Sequence, residues 1–261
     1  MILLLLAIFA IGFAVGVLGN ISGIGGGVMI VLVLVYGYGF KPLDAAGLSL
    51  LTIVFSTFVG FVQDTRRGLV DKKLLLVIAP IGVFASIIGS EITNYVTTNT
   101  FKLVFAVILI ALGLFAIYSS RKQRKYNSKI EEAEVAHTSD TGLVAVISGI
   151  VSGFIGIGIG GIMGTFLTAI KKINAKTAIA TVVAATLPIT IMGAAVHFYL
   201  SGTISLTFAP PLIVGAVLGG LAGTSIIVKA PHISLRFLQG YVIMFFGFLS
   251  VLLFIISSLV Q

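Results

Sequence analysis

The chain contains no cysteine and no tryptophan, and only 9% of its 261 residues are charged. The missing cysteine excludes disulfides, thiolate metal sites and thiol redox chemistry. The missing tryptophan leaves any aromatic belt at a membrane boundary to the 7 Tyr and 19 Phe. Acidic residues are scarce as well, 8 Asp and Glu against 16 Lys and Arg. No cluster has the spacing of a metal site, and no Ser, His and Asp set suggests a hydrolase. Neither metal nor cofactor is called for, and the reading is that the chain is not an enzyme. A net charge of +8 would suit nucleic acid, but the basic residues sit in short loops between apolar segments, a sign of membrane topology.

What is present is grease. The chain is 58% hydrophobic with a mean hydropathy of +1.21, far from the composition of a soluble domain. Long apolar stretches recur, each near the roughly 20 residues a helix needs to cross about 30 Å of hydrocarbon, and the short alternating strands of a membrane β-barrel are absent. The expected class is an all-α integral membrane protein. The opening stretch MILLLLAIFAIGFAVGVLG lacks a basic start and stays apolar to Phe40, so it reads as mature protein rather than as a signal peptide.

Six apolar segments read as ordinary spans, at about 43–63, 74–94, 101–119, 177–200, 205–228 and 237–260. Two others, 2–40 and 142–170, carry glycine clusters near their middles, Gly23-Ile-Gly-Gly-Gly27 and Gly156-Ile-Gly-Ile-Gly-Gly161. Glycine so dense disfavours a continuous helix. A shift of 133 or 134 positions lays Gly26-Gly27-Val28-Met29 on Gly160-Gly161-Ile162-Met163, Gly16 on Gly149, Gly19 on Gly153, Gly68 on Gly202 and Gly89 on Gly223. The chain therefore reads as an internal duplication, with a first transmembrane repeat over 1–119, a polar cytoplasmic connector over 120–141 and a second repeat over 142–261. Each repeat holds a glycine-broken segment, re-entrant or discontinuous, and three transmembrane helices.

Lysine and arginine placement bears on orientation. If each broken segment crosses once, 7 basic residues fall on one face and 9 on the other. If each enters, turns at its glycines and leaves on the same side, one face keeps only Lys41 and Lys102 and the other gathers the remaining 14. The strong bias favours inverted repeats in a multi-pass cell membrane protein, with a prokaryotic plasma membrane expected.

Non-helical backbone at membrane depth survives only where protein or a watery cavity surrounds it, and paired breaks in two halves point to a transport site. Helices beginning after Gly27 and Gly161 would turn free N–H groups toward the centre, which favours an anion. The same glycines could instead serve close helix packing, a role that suits Gly12 and Gly16, Gly149 and Gly153, and Gly215, Gly219 and Gly223 better. Gly156, Gly158 and Gly161 match a dinucleotide fingerprint in form, but no strand precedes them. The candidate substrate-binding residues are Asn20, Ser22, Gly23, Gly25, Gly26, Gly27, Ser49, Thr52, Gly158, Gly160, Gly161, Thr181 and Thr186. Ser56 and Thr190 share faces with them, although such hydroxyls often bond only the preceding helical turn. His197 stands inside an apolar span and could couple protons, or lie at the interface near the Ser201-Gly202 turn. Gln63 and Asp64, beside Arg66 and Arg67, fit a solvated loop ion pair.

The doubled glycine cluster carries a resemblance. Each copy is followed by an Ala-rich polar helix start, Asp44-Ala-Ala-Gly-Leu-Ser49 and Thr177-Ala-Ile-Ala-Thr181, and the first half adds the basic-glycine turn Arg66-Arg-Gly-Leu-Val-Asp71. Over nearly all the chain except the connector, this order of motifs resembles the sulfite exporter TauE/SafE family. The resemblance implies a multi-pass carrier for small sulfur-containing anions such as sulfite, sulfonates or related organic acids. It places the family's glycine motif on Gly23, Gly25, Gly26 and Gly27 and on Gly158, Gly160 and Gly161.

The reading that results is a secondary transporter, working by alternating access with its anion site at the paired breaks. Export is the simpler physical case, because a negative-inside potential drives anions outward. An anion channel, or a membrane enzyme or assembly factor without transport, remains the alternative. The partners expected are a small anion and the lipid bilayer, with no nucleic acid; a homo-oligomer stays open.

Overall fold

A computed structural model describes residues 2–22, 26–124, 138–202, 205, 207–229 and 232–259. Helices make up its architecture, and no strand occurs among the described residues. Helix α1 spans Ile2–Ser22, α2 Gly27–Leu32 with a π-helical turn over Val33–Gly37, α3 Pro42–Arg66, α4 Lys72–Asn94 and α5 Thr98–Arg124. The series then repeats: α6 spans Thr138–Ile155, α7 Gly160–Thr165 with a π-helical turn over Phe166–Ile170, α8 Ala175–Ser201, α9 Ala209–Lys229 and α10 His232–Leu259. Seven of these helices are long and apolar enough to cross a membrane. Of the connector expected over 120–141, residues 125–137 lie outside the described residues.

Local sequence chemistry fixes the helix ends. Pro42 occupies the first turn of α3, where its missing N–H costs nothing. Asp71 caps α4 by accepting from the N–H groups of Lys73 at 2.9 Å and Leu74 at 3.1 Å, and Asn174 caps α8 by accepting from Lys176 at 3.0 Å. Gly68 and Gly202, which coincide under the sequence shift, both adopt φ of 68° beyond the ends of α3 and α8, a left-handed geometry that favours glycine.

Helices α3 and α8 form the centre. They bury 61% and 67% of their most apolar stretches, whereas no other spanning helix exceeds 44%, so the rest turn aliphatic surface outward, as lipid-facing helices must. Gly47 backs onto His197, Gly193 onto Leu50 and Gly60 onto Val183, so α3 and α8 run antiparallel. Helices α5 and α10 do the same, with Gly113 on Met244, Gly247 on Ile110 and Gly240 on Ile117. By contrast α1 lies parallel to α9, with Gly12 on Leu212, Gly16 on Ala216 and Gly223 on Val17, and α6 lies parallel to α4, with Gly149 on Gly82 and Gly153 on Ser86.

In these two seams a methyl group on the glycine would run into the facing backbone, the close approach that glycine spaced by four residues permits between membrane helices. Exchanging the first five helices for the last five turns each of these pairings into another. Each half also reaches across the other: α1 of the first half packs on α9 of the second, and α6 of the second on α4 of the first.

Candidate functional site at the helix interruptions

Helix α1 stops at Ser22 and α2 starts at Gly27; α6 stops at Ile155 and α7 starts at Gly160. Gly26 precedes α2 with φ of 70°, and Gly156 and Gly158 both have φ of 80°. A side chain at these three positions would be strained whatever the space around it. Neither short helix has a side-chain cap at its start. In the second half, Asp140 at the entry of α6 lies 3.5 Å from Lys171, which follows the π turn after α7. The two ends of the segment 140–171 therefore lie close together.

The two interruptions meet on α3. The Ser49 hydroxyl donates to the carbonyl oxygen of Gly156 at 2.6 Å and lies 3.3 Å from that of Gly27. A methyl group on Gly27 would strike the Gly156 carbonyl and the Ser49 oxygen, and one on Gly156 would strike the backbone of Ala46. Glycine is needed here because three backbones and one hydroxyl share the space a single side chain would fill.

The seam is closed in this conformation. Gly27, Ser49 and Gly156 through Gly161 are all buried, and a neighbouring pocket of about 280 Å³ touches the first interruption only through Gly26. Its other lining residues, Leu18, Val28, Met29, Val242, Ile243 and Phe246, are apolar.

The remaining candidates divide into several groups. Asn20 is 2% exposed and its amide donates to the carbonyls of Ser56 at 3.1 Å and Gly220 at 3.3 Å, tying α1 to α3 and α9. The Thr181 hydroxyl accepts from the backbone N–H of Asp71 at 2.9 Å, joining α8 to the turn before α4. Thr52, Thr186 and Thr190 are buried but bond the carbonyls of Leu48, Val182 and Thr186 in their own helices, so they satisfy themselves rather than converge on the interruptions. Gly161 has room for a methyl group, with Ile243 at 3.5 Å and Leu112 at 3.7 Å as its neighbours. Gly23, Gly25 and the side chain of Ser22 lie outside the described residues.

His197 is fully buried on α8, and its Nε2 lies 2.8 Å from the carbonyl oxygen of Gly153 on α6; since a carbonyl only accepts, Nε2 carries the hydrogen. One turn further on, the Ser201 hydroxyl donates to the Asp44 carboxylate and closes that end of the α3–α8 seam. Asp64 likewise departs from the solvated loop pair expected from sequence, being 2% exposed on α3. Its position one turn beyond Gly60, itself packed against Val183 of α8 and Asn20 of α1, was the signal for burial.

The architecture defines an all-helical, multi-pass membrane protein. The profile of the family described as sulfite exporter TauE/SafE matches residues 8–250, and the chain belongs to that family. It is similar to a probable membrane transporter protein of Methanocaldococcus jannaschii, 28% identical with 84% of this chain and 86% of the relative covered. A probable membrane transporter protein of Bacillus subtilis is 26% identical over 83% of this chain and 86% of its own length. One from Xylella fastidiosa is 26% identical over 82% and 80%. No solved structure matches the chain.

Proposed function

We propose that the chain exports small sulfur-containing anions, such as sulfite, sulfonates or related organic acids, across a prokaryotic plasma membrane by alternating access, with the anion held between the two helix interruptions. The observation that carries this reading is the Ser49 hydroxyl shared by Gly27 and Gly156, because it links the two interruptions through a central helix. The family's description as sulfite exporters supports the substrate class. The uncapped starts of α2 and α7 support an anion, since their first-turn N–H groups and dipoles favour negative charge.

The antiparallel pairing of α3 with α8 and of α5 with α10 supports inverted repeats over 1–119 and 142–261, joined by a cytoplasmic connector. The Asp140–Lys171 proximity supports a segment that enters and leaves on one face. On this reading the closed seam is an occluded state. Transport requires α3 to part from the second interruption, so that the carbonyls now bonded to Ser49 give way and N–H donors face the anion. His197 positions α6 against α8 through Gly153, and its ring is a candidate proton carrier on the same path.

The test is a flux screen in proteoliposomes with sulfite, thiosulfate, alkanesulfonates, sulfate and carboxylates. Saturable movement of the sulfur anions is expected, and movement of carboxylates alone would reject the substrate class. Currents under voltage clamp far above carrier turnover would select an anion channel instead.

A further inference from the structure

Among the described residues Asp64 is the only buried carboxylate, and nothing in the anion site uses it. It lies near the end of α3, one turn beyond Gly60, whose neighbours are Val183 of α8 and Asn20 of α1. Its Oδ1 is buried without a hydrogen bond. The nearest cation, Arg67, stands 3.8 Å away and directs the same Nη1 to the backbone carbonyl of Thr224 on α9 at 2.8 Å. Thr224 in turn donates its hydroxyl to Gln63 at 2.6 Å. Toward α1, the side-chain oxygen of Asn20 is also buried and without a donor, and it presses against Gly60 one helical turn from Asp64. Arg67 is the charged group set against Asp64; the neighbours contributed to this stretch of α3 by α1, α8 and α9, namely Asn20, Val183 and Thr224, do not titrate.

A buried carboxylate is costly unless donors or a close cation answer its charge. Here the guanidinium that could answer it stands 3.8 Å away, with its Nη1 bonded to the neighbouring helix, and the buried oxygens of Asp64 and Asn20 lack a hydrogen bond. An ionisable side chain so placed in a transporter marks an ion or proton relay. We propose that Asp64 binds and releases the proton coupled to anion movement, and that the Arg67–Thr224 contact is the latch that responds. Protonation turns the carboxylate into a neutral carboxylic acid, so Arg67 loses its counter-charge and its hold between α3 and α9 changes; deprotonation restores both. The proton enters from one side of the membrane and leaves to the other with each cycle. The inference rests on the transport reading above.

The experiment uses proteoliposomes of the full chain with labelled methanesulfonate or thiosulfate, whose charge is constant over the pH range used, and with the membrane potential clamped at zero. One coupled proton predicts about tenfold accumulation per unit of imposed pH gradient for the wild type, since about 1.4 kcal/mol corresponds to one decade. Asp64→Asn is expected to abolish accumulation relative to its own equilibrium exchange. Asp64→Glu is expected to keep it with a displaced pH profile. Accumulation by Asp64→Asn equal to that of the wild type overturns the proposal.

Exchange by a wild type that ignores the gradient overturns the proposal too, while leaving the transport reading intact. If the wild type moves neither anion nor sulfite under any condition, the transport reading fails and the coupling site falls with it. Should Asp64→Asn fail to give monodisperse protein, Asp64→Glu decides, and an unmoved pH profile counts against the proposal.

Discussion

Ser49 on α3 donates a 2.6 Å hydrogen bond to the carbonyl oxygen of Gly156, a residue 107 positions away in the second half of the chain. The same hydroxyl lies 3.3 Å from the carbonyl oxygen of Gly27. One small polar side chain therefore sits at the meeting of both interrupted helices.

Ser49→Ala removes the shared donor while keeping the space for three backbones. We expect a stability loss of roughly 1–3 kcal/mol, the cost of leaving a buried acceptor unanswered, together with a larger loss of anion flux. Thermal melting in detergent and proteoliposome uptake measure the two. Flux equal to wild type from a variant that has lost the bond would remove Ser49 from the site.

Gly27→Ala and Gly161→Ala separate two glycines that look alike in the sequence. The methyl group of the first meets the Gly156 carbonyl and the Ser49 oxygen, whereas that of the second meets only side-chain carbons at 3.5 and 3.7 Å. Overpacking predicts a loss of about 1–3 kcal/mol for Gly27→Ala and little change for Gly161→Ala. Similar melting temperatures for the two variants would contradict the described packing.

The absence of cysteine makes sidedness measurable. Single cysteines in place of Lys129 and Lys172 are expected to react with an impermeant thiol reagent from the same face, and one in place of Lys41 from the opposite face. Labelling of Lys129→Cys and Lys172→Cys from different faces would exclude inverted repeats.

His197→Ala removes the nearer of two side-chain donors to the carbonyl of Gly153 and leaves it the Ser90 hydroxyl at 3.5 Å. A cavity and a weakened hydrogen bond together predict destabilisation of about 2–4 kcal/mol. The pH dependence of the remaining flux then separates packing from proton transfer. A profile unchanged from wild type assigns His197 to holding α6 against α8 and leaves proton coupling to another group.

Much of the architecture was legible in the residues. Apolar length placed the spanning segments close to their observed bounds, because a helix must cover the hydrocarbon whatever surrounds it. The glycine spacing of Gly12 and Gly16, and of Gly215, Gly219 and Gly223, marked faces for close packing, since little but glycine lets two backbones approach so closely, and the structure pairs these faces with each other. The candidate site was only partly legible. Thr52 and Thr186 have the right character and burial, yet their hydroxyls turn back on their own helices, and no pattern in the sequence distinguishes a hydroxyl that does so from one that reaches across.

The sequence by itself determined that this is a helical membrane protein and that its glycine motifs recur at a shift of 133 or 134 positions, because composition, period and length are local properties of the chain. Tertiary structure alone decided that Ser49 would join Gly156 to Gly27, that His197 would be buried against Gly153, and that Asp64 would be buried rather than in water. The hydrogen bonds among them join residues 22 to 107 positions apart. They exist only once antiparallel central helices and crossed-over outer helices have set which faces touch.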